Sequence, residues 1–189
     1  PPFTLIAATT RVAMVSSPLR SRFSGGVFRL EFYSNEEIAE IVRRSSKLLK
    51  TKLDEEALKE IAKRSRFTPR TANYFLKRVR DFAQVHKKDL DKKTVREALD
   101  MLAIDDIGLN SSDRKFLEIL IGKFDGGPVG LKTMGAAMSE EEATVEEVIE
   151  PYLIQLGLLE RTSRGRVATK KAYDHLDFEY KKGGQNKLI

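Results

Sequence analysis

The sequence predicts a mainly α-helical protein in which the end of an α/β core is followed by a helical bundle and a winged-helix domain. Apolar residues recur at helical spacing through most of residues 34–156, which indicates a series of amphipathic helices. Two short runs near residues 159–169 flank a glycine turn, as in a β-hairpin. A brief apolar run at residues 3–8 is typical of a buried strand.

Composition excludes several classes of chemistry. The chain of 189 residues has no cysteine, which excludes disulfides, thiol catalysis and cysteine-ligated metals. It has two histidines, which leave little room for a metal site, although a site made of carboxylates remains open. Its formal charge of +6 suits a polyanionic partner. No stretch approaches the roughly 20 apolar residues that span a bilayer, and no signal-peptide pattern is present. We therefore expect a soluble cytoplasmic protein with no membrane partner.

Residues 1–34 are predicted to hold two short strands, at residues 3–8 and 27–32. A segment of this size cannot close a core alone, so we interpret the chain as the C-terminal part of a longer protein.

Residues 35–106 are predicted to form a bundle of four helices. Ser34 and Glu37 fit a capping box for the first, which buries Ile38, Ile41, Val42, Leu48 and Leu49. Asp54 fits the N-cap of the second, and Thr68 with Pro69 fits the start of the third. The fourth lies around residues 94–102, and an acidic linker with Gly108 follows.

Residues 107–189 are predicted to form a winged helix. Ser111 or Ser112 is expected to cap its first helix, and a short second helix spans 131–138. Thr144 and Glu147 fit a capping box for the third helix, which Pro151 should kink. Three helices followed by a hairpin is the order of this helix-turn-helix variant.

The hairpin is the strongest candidate site. It carries Arg161, Arg164 and Arg166, with Lys170 and Lys171 just beyond and no acid between residues 161 and 171. Such a cluster can grip phosphates, and a functionless solvated turn is the less favoured alternative. The preceding helix displays acids that would repel phosphates, among them Glu146, Glu147 and Glu150, although some of them suit a helix N-terminus through the macrodipole. We therefore predict sequence-independent DNA contact through the wing.

Two further arginines fit nucleotide chemistry. Arg70 lies in the first turn of its helix, where a cation opposes the macrodipole. It suits either a phosphate ligand or a surface ion pair with a carboxylate. Arg22 lies in a polar turn, from which an arginine can reach a γ-phosphate in a neighbouring subunit. No phosphate-binding loop and no acidic Mg²⁺ motif is present, so we expect no ATP hydrolysis by this chain alone.

Six strings occur in order: FTLIAATTR (3–11), SPLRSRF (17–23), TPR (68–70), GGPVGL (126–131), EPYLIQ (150–155) and RTSRGR (161–166). Together they resemble the RuvB family, the AAA+ motors of bacterial Holliday-junction branch migration. The resemblance runs from about residue 2 to residue 176. It implies that residues 1–34 end an AAA+ α/β core, residues 35–106 form its helical lid, and residues 107–189 form the winged helix.

The resemblance also implies residue roles. Thr10 matches the sensor 1 position, Arg22 the arginine finger that acts in trans, Arg70 the sensor 2 arginine, and Tyr33 a nucleotide-contacting tyrosine. Arg161 and Arg166 match DNA-contacting arginines of the wing.

Cofactors and partners follow from the same resemblance. ATP and Mg²⁺ would be bound mainly by residues that this chain lacks. The full-length protein is expected to be a hexameric, ATP-dependent four-way-junction helicase of recombination and repair. It would act on duplex DNA with RuvA, and with RuvC in the resolving complex. A stand-alone winged-helix DNA-binding or regulatory protein without enzymatic activity is the alternative.

Three departures from the family pattern stand out. Ala7 and Phe67 replace usual glycines, and residues 24–26 are one residue longer than the family segment. Phe67 is expected either to shift Arg70 or to act as a hydrophobic staple.

Overall fold

The computed structural model describes residues 1–180 as two units, Pro1–Phe32 and the chain from Tyr33 onward. The first unit holds a 3-10 turn at Val12–Met14 and one short helix, α1, at Ser17–Arg20. Among residues 1–180, no helix has the length and apolar character needed to cross a membrane.

The expectation of strands at residues 3–8 and 27–32 is wrong for this chain. Neither segment is assigned as a strand, and the side chains of Phe3 and Phe28 are exposed. A strand is stabilised by backbone hydrogen bonds to a neighbouring strand. The first unit, all of which the structure describes, supplies no such neighbour.

Four helices form a bundle after Tyr33. Their bounds are α2 Asn35–Leu48, α3 Glu55–Arg64, α4 Pro69–His86 and α5 Lys92–Met101. One apolar core joins them, and its fully buried members include Ile38, Ile61, Leu76 and Leu99. Each such side chain contributes about 1.5–3 kcal/mol by leaving water, so this core holds the bundle together.

Local caps set the first turns of α2 and α3. The Glu37 amide donates to Ser34 Oγ at 3.2 Å and the Ser34 amide donates to Glu37 Oε2 at 2.8 Å, which confirms the capping box. Asp54 caps α3 through the Ala57 amide, as expected. Leu48 was expected on the buried face of α2 but is exposed. At about 100° per residue it is turned about 80° from Ile38, which places it at the edge of that face.

The second part of this unit has the order of a winged helix. Its elements are α6 Ser111–Phe124, α7 Leu131–Met138, α8 Glu142–Thr144, a π-helical turn Val145–Ile149, α9 Glu150–Gln155, β1 Leu159–Thr162, β2 Gly165–Ala168 and α10 Lys170–His175. Phe116, Leu120, Met134 and Leu153 are fully buried in a separate apolar core. The predicted fold class is confirmed for the bundle and the winged helix.

Two of the expected helix caps are wrong. Asn110, not Ser111 or Ser112, caps α6, because its side chain and that of Asp113 bond reciprocally to each other's backbone amides. Thr144 makes no capping hydrogen bond and lies inside a longer helical segment that begins after Glu141.

The kink expected at Pro151 takes the form of a π-helical turn. Proline has no N–H to donate to the preceding turn, and a π turn is one of the ways in which a helix absorbs such a gap. The π turn Val145–Ile149 lies directly before α9, in which Pro151 is the second residue. Glu150, the first residue of α9, directly follows this turn.

The segment after α6 pairs with the hairpin through Val129. Strands β1 and β2 are antiparallel, with Arg161 opposite Arg166. Val129 adds a bridge to β2, since its amide donates to the Arg166 carbonyl at 3.0 Å and its carbonyl accepts from the Arg166 amide at 2.8 Å. A Cβ at Gly127 would lie 2.2 Å from the Arg166 carbonyl oxygen, so this close approach requires glycine.

The bundle and the winged helix meet at residues 64–67 and 104–109, here called the joint. Its first residue is the buried Arg64. The Arg64 side chain is 1% exposed and donates to Glu60 at 2.7 Å, to Asp106 at 2.6 Å and to the Ile104 carbonyl at 3.2 Å. The expected linker is thus a structured turn bound to α3.

Arg66 and Phe67 extend the joint onto Tyr152 of α9. The Arg66 guanidinium lies 4.3 Å from the Tyr152 ring centroid and pairs with Asp113 at 3.0 Å. The Phe67 ring centroid is 6.3 Å from that of Tyr152. Burial raises the pKa of the Tyr152 phenol. Burial also raises the pKa of the Asp113 carboxyl, although the hydrogen bond from the Asn110 amide acts to lower it. Phe67 therefore packs against the winged helix.

The backbone at Arg66 and Phe67 has a conformation that glycine adopts more easily than other residues. Arg66 and Phe67 both have left-handed backbones, with φ of 56° and 54°. This conformation costs a residue with a side chain roughly 1–2 kcal/mol. The ring contact with Tyr152 offsets part of that cost in this chain.

The turn after Ile104 is held by one carboxylate. Asp105 Oδ1 accepts from the amides of Ile107 and Leu109 at 3.0 and 2.8 Å, while its Oδ2 lies 2.9 Å from His175 Nε2. His175, to which the sequence assigned no role, thus ties α10 to the joint. Gly108 completes the turn with φ of 85°.

We expect Gly108→Ala to lower the free energy of unfolding by about 2 kcal/mol or more. Its Cβ would lie 2.6 Å from the Arg64 carbonyl oxygen and 2.8 Å from the Tyr152 hydroxyl. Gly122→Ala is the matched control, because Gly122 lies inside α6 with nothing within 4 Å of an added Cβ. That control should gain about 0.5–1 kcal/mol. Chemical denaturation measures both, and equal stabilities would contradict this account of the joint.

Candidate nucleic-acid interface

The hairpin places two of the predicted DNA-binding arginines side by side. Arg161 and Arg166 are direct cross-strand partners. Like charges directly opposite each other destabilise an antiparallel pair. A counter-charge is therefore needed close to both guanidinium groups.

Glu150, the first residue of α9, supplies that counter-charge. Arg161 Nε donates to Glu150 Oε2 at 2.7 Å, and Arg166 Nε donates to Oε1 at 2.7 Å. A second bond runs from Arg166 Nη2 to Oε2 at 3.3 Å. The Glu150 side chain is fully buried, and a buried carboxylate is tolerated when it is paired and hydrogen-bonded in this way.

Glu146 contacts the same two arginines from the solvent side. Its carboxylate lies 3.3 Å from Arg161 Nη1 and 4.0 Å from Arg166 Nη2. The Glu146 side chain is 46% exposed, in contrast to the buried Glu150. The expectation that Glu150 faces outward as a repelling acid is therefore wrong, because the fold turns it beneath the wing.

The remaining cations of the wing are not equivalent to this pair. Arg164 is exposed at the tip, and no carboxylate among residues 1–180 lies within 4 Å of its guanidinium. Lys171 donates to the Leu156 carbonyl at 2.8 Å and so caps the end of α9. Lys170 is exposed at the start of α10. Among the described residues, the wing thus carries Arg164 without a carboxylate partner and a cluster in which Arg161 and Arg166 pair with glutamates.

Two predicted nucleotide contacts lie near helix starts of the bundle. Arg70 is exposed in the first turn of α4 and pairs with no carboxylate in the part of the chain that the structure describes. Pro69 has no N–H and the Thr68 side chain makes no capping hydrogen bond, so the amides of Arg70 and Thr71 are the first donors at the start of α4. Tyr33 is exposed directly before the cap of α2. The roles of Arg70 and Tyr33 in nucleotide binding stay predictions.

The other two predicted contacts belong to the first unit. Thr10 is exposed just before the 3-10 turn, and Arg22 is exposed two residues after the end of α1. The Arg22 backbone amide donates to the Leu19 carbonyl at 3.1 Å. The roles of Thr10 and Arg22 in nucleotide chemistry stay predictions.

Metal-binding groups are not clustered in the part that the structure describes. No group of three or more His, Asp or Glu side chains within residues 1–180 is placed to hold an ion.

Sequence reasoning missed the residues that support the wing. The sequence pattern predicts Glu150 on an exposed helix face and assigns no supporting role to the glycines at 126–127. The glycine pair directly before Pro128 was the available signal, since glycine is favoured where the backbone has positive φ or approaches another segment closely. The pairing of Glu150 had no local signal, because its partners lie 11 and 16 residues away.

Two family models match this chain. The RuvB AAA lid domain matches residues 33–105, and the RuvB C-terminal winged helix domain matches residues 106–177. Together they account for most of the chain.

Curated relatives carry the same family name. The chain is 51% identical over 185 residues to a Holliday junction branch migration complex subunit RuvB of Ligilactobacillus salivarius (strain UCC118), covering 97% of this chain and 55% of that protein. It is 54% identical over 187 residues to the subunit of the same name from Dehalococcoides mccartyi (strain CBDB1), covering 98% and 53%. The chain therefore spans about half the length of these relatives.

Solved structures give the same result. A mutant of Thermotoga maritima RuvB matches with a TM-score of 0.85 and 47% identity over 94% of this chain and 59% of that one. The Thermotoga maritima RuvB Holliday junction branch migration motor matches with a TM-score of 0.82 and 46% identity over 88% and 56%. On these grounds the chain belongs to the RuvB family, of which it represents the C-terminal lid and winged-helix region.

Proposed function

We propose that this chain is the C-terminal part of an ATP-dependent motor that drives branch migration of Holliday junctions in recombination and repair. The observation that carries the proposal is the basic wing on a domain that matches the winged helix of RuvB. The full-length protein would be an ATP hydrolase and four-way-junction helicase of the cytoplasm. This chain lacks both the phosphate-binding loop and the acidic Mg²⁺ motif, so it should not hydrolyse ATP by itself.

The parts of the chain would divide this work. Residues 1–34 would end the AAA+ core, residues 35–106 would form the lid, and residues 107–189 would bind DNA. Residues 1–34 would bring Thr10 as sensor 1 and Arg22 as the finger on a neighbouring subunit's ATP, in a hexameric ring. RuvA would hold the junction, and RuvC would join in the resolving complex.

The lid would act on nucleotide through Arg70 and Tyr33. ATP and its Mg²⁺ supply the phosphoryl-transfer chemistry when bound by the full-length protein. Arg70 would stabilise negative charge on the phosphates, and the first amides of α4 would add partial positive charge. Support comes from the exposure of Arg70 and from its lack of a carboxylate partner within residues 1–180.

The wing would bind duplex DNA without reading its sequence. Arg164 at the tip is free to contact a backbone phosphate, and contacts to phosphate carry no base information. Exposed acids near the start of the preceding helix, among them Glu140 and Glu141, disfavour its entry into the major groove.

We expect Arg164→Ala to weaken binding of the chain to mixed-sequence duplex about fivefold and to lower the salt dependence by about one counterion. Fluorescence anisotropy between roughly 50 and 200 mM salt measures both quantities. Arg44→Ala serves as control, because it removes an exposed cation from α2 of the bundle. Equal losses in the two variants, or a strong preference for one DNA sequence, would contradict the proposed role of the wing.

We expect Arg22→Ala, made in a full-length protein that contains this sequence, to reduce ATP turnover by a factor on the order of 10³. The loss follows from removing a positive charge that stabilises the transferred phosphoryl group. Steady-state phosphate release measures it. The control is Arg20→Ala, an exposed arginine at the end of α1. Turnover unchanged by Arg22→Ala would remove the finger assignment.

A further inference from the structure

Four charged side chains meet on the inner edge of the wing. Arg161 and Arg166 lie opposite each other on the hairpin, and Glu146 and Glu150 approach them from the helical segment before it. Both glutamates contact both arginines. They differ in burial, since the Glu150 side chain is fully buried and that of Glu146 is 46% exposed.

The buried glutamate, Glu150, holds both arginines from beneath the hairpin. It binds the Nε edge of each guanidinium, at 2.7 Å in both cases. A guanidinium that is held at its Nε edge keeps a terminal nitrogen for a second acceptor. Because Glu150 uses both carboxylate oxygens in this way, it orients both arginines at once.

The exposed glutamate, Glu146, lies at a position that an anion could take in its place. The Glu146 carboxylate lies 3.3 Å from Arg161 Nη1 and 4.0 Å from Arg166 Nη2, on the terminal nitrogens of the two groups. A singly charged anion with two oxygens suits this position, and a backbone phosphate of DNA is such an anion. Exposed ion pairs of this kind are worth at most about 1 kcal/mol, so Glu146 can be displaced.

We propose that Arg161 and Arg166 form one phosphate subsite, in which Glu150 is a positioning residue and Glu146 occupies the phosphate position in the DNA-free chain. The inference rests on the proposed binding of DNA by the wing. With both glutamates in place the cluster carries no net charge. When Glu146 swings away, the remaining charge of +1 matches one phosphodiester.

The two glutamates therefore have opposite effects on DNA affinity. A rule based on charge alone states that removal of either carboxylate strengthens binding to a polyanion. In the proposed subsite, loss of the Glu150 charge releases both arginines from their orientation and weakens binding. Loss of the Glu146 charge removes a competitor and strengthens binding.

The test compares Glu150→Gln, Glu146→Gln and Glu140→Gln in the 189-residue chain, with a labelled mixed-sequence DNA duplex as the probe. We expect Glu150→Gln to bind about tenfold more weakly than the unsubstituted chain. Glu146→Gln should bind about two- to fivefold more tightly. Glu140→Gln makes the same charge change at an exposed site that pairs with neither arginine, and it measures the general effect of charge.

Each result has a distinct meaning. Unchanged or tighter binding by Glu150→Gln overturns the positioning role, and binding by Glu146→Gln no tighter than by Glu140→Gln overturns the occupant role. If the unsubstituted chain does not bind the duplex, the proposed DNA-binding function fails together with this inference. If it binds, and Arg161→Ala and Arg166→Ala weaken binding while Glu150→Gln does not, only this inference fails.

A measurement on the unsubstituted chain covers the case in which Glu150→Gln does not fold. Nuclear magnetic resonance follows the Nε–H protons of Arg161 and Arg166 while duplex is added. We expect both protons to stay protected from solvent exchange, because Glu150 keeps its contacts when phosphate replaces Glu146. Loss of protection at both arginines on DNA binding would overturn the positioning role.

Discussion

The buried guanidinium of Arg64 is the constraint on which the joint between the bundle and the winged helix depends. A charge with 1% exposure is tolerated only if its donors are satisfied. Three of its acceptors come from different parts of the fold: Glu60 on α3, Asp100 on α5 and Asp106 in the turn that leads to α6. Satisfying this one side chain therefore fixes two helices of the bundle and the first residues of the winged helix together.

The residues that follow Arg64 carry this constraint to both candidate sites. Two and three residues later, Arg66 and Phe67 contact Tyr152 in α9, whose first residue is Glu150. Phe67 also precedes the first turn of α4, where Arg70 lies. Residues 64–70 thus belong at once to the core of the bundle, to the joint and to the predicted nucleotide contact. Left-handed backbone at two consecutive residues is a cost that contacts with the winged helix offset.

Local and non-local interactions differ in how well the sequence predicts them. The capping box at Ser34, the cap at Asp54 and the hairpin were predictable, because each depends on residues within a few positions of one another. The π turn before Pro151 and the burial of Glu150 were not, because they depend on packing against a hairpin that follows later in the chain. The strands expected in residues 1–32 failed for the same reason, since a strand needs a neighbour that local pattern cannot supply.

The wing shows why a count of charges is a poor guide to a binding surface. Along the sequence, three arginines follow a helix rich in glutamate, and by a count of charges alone the two sets oppose each other. In the fold, one glutamate lies beneath two of the arginines and another lies at their outer edge. In the proposed phosphate subsite, the affinity of the wing for DNA depends on which carboxylates are buried and which can leave. By this proposal, the position of an acid relative to the guanidinium edges, and not net charge, determines whether it helps or opposes DNA binding.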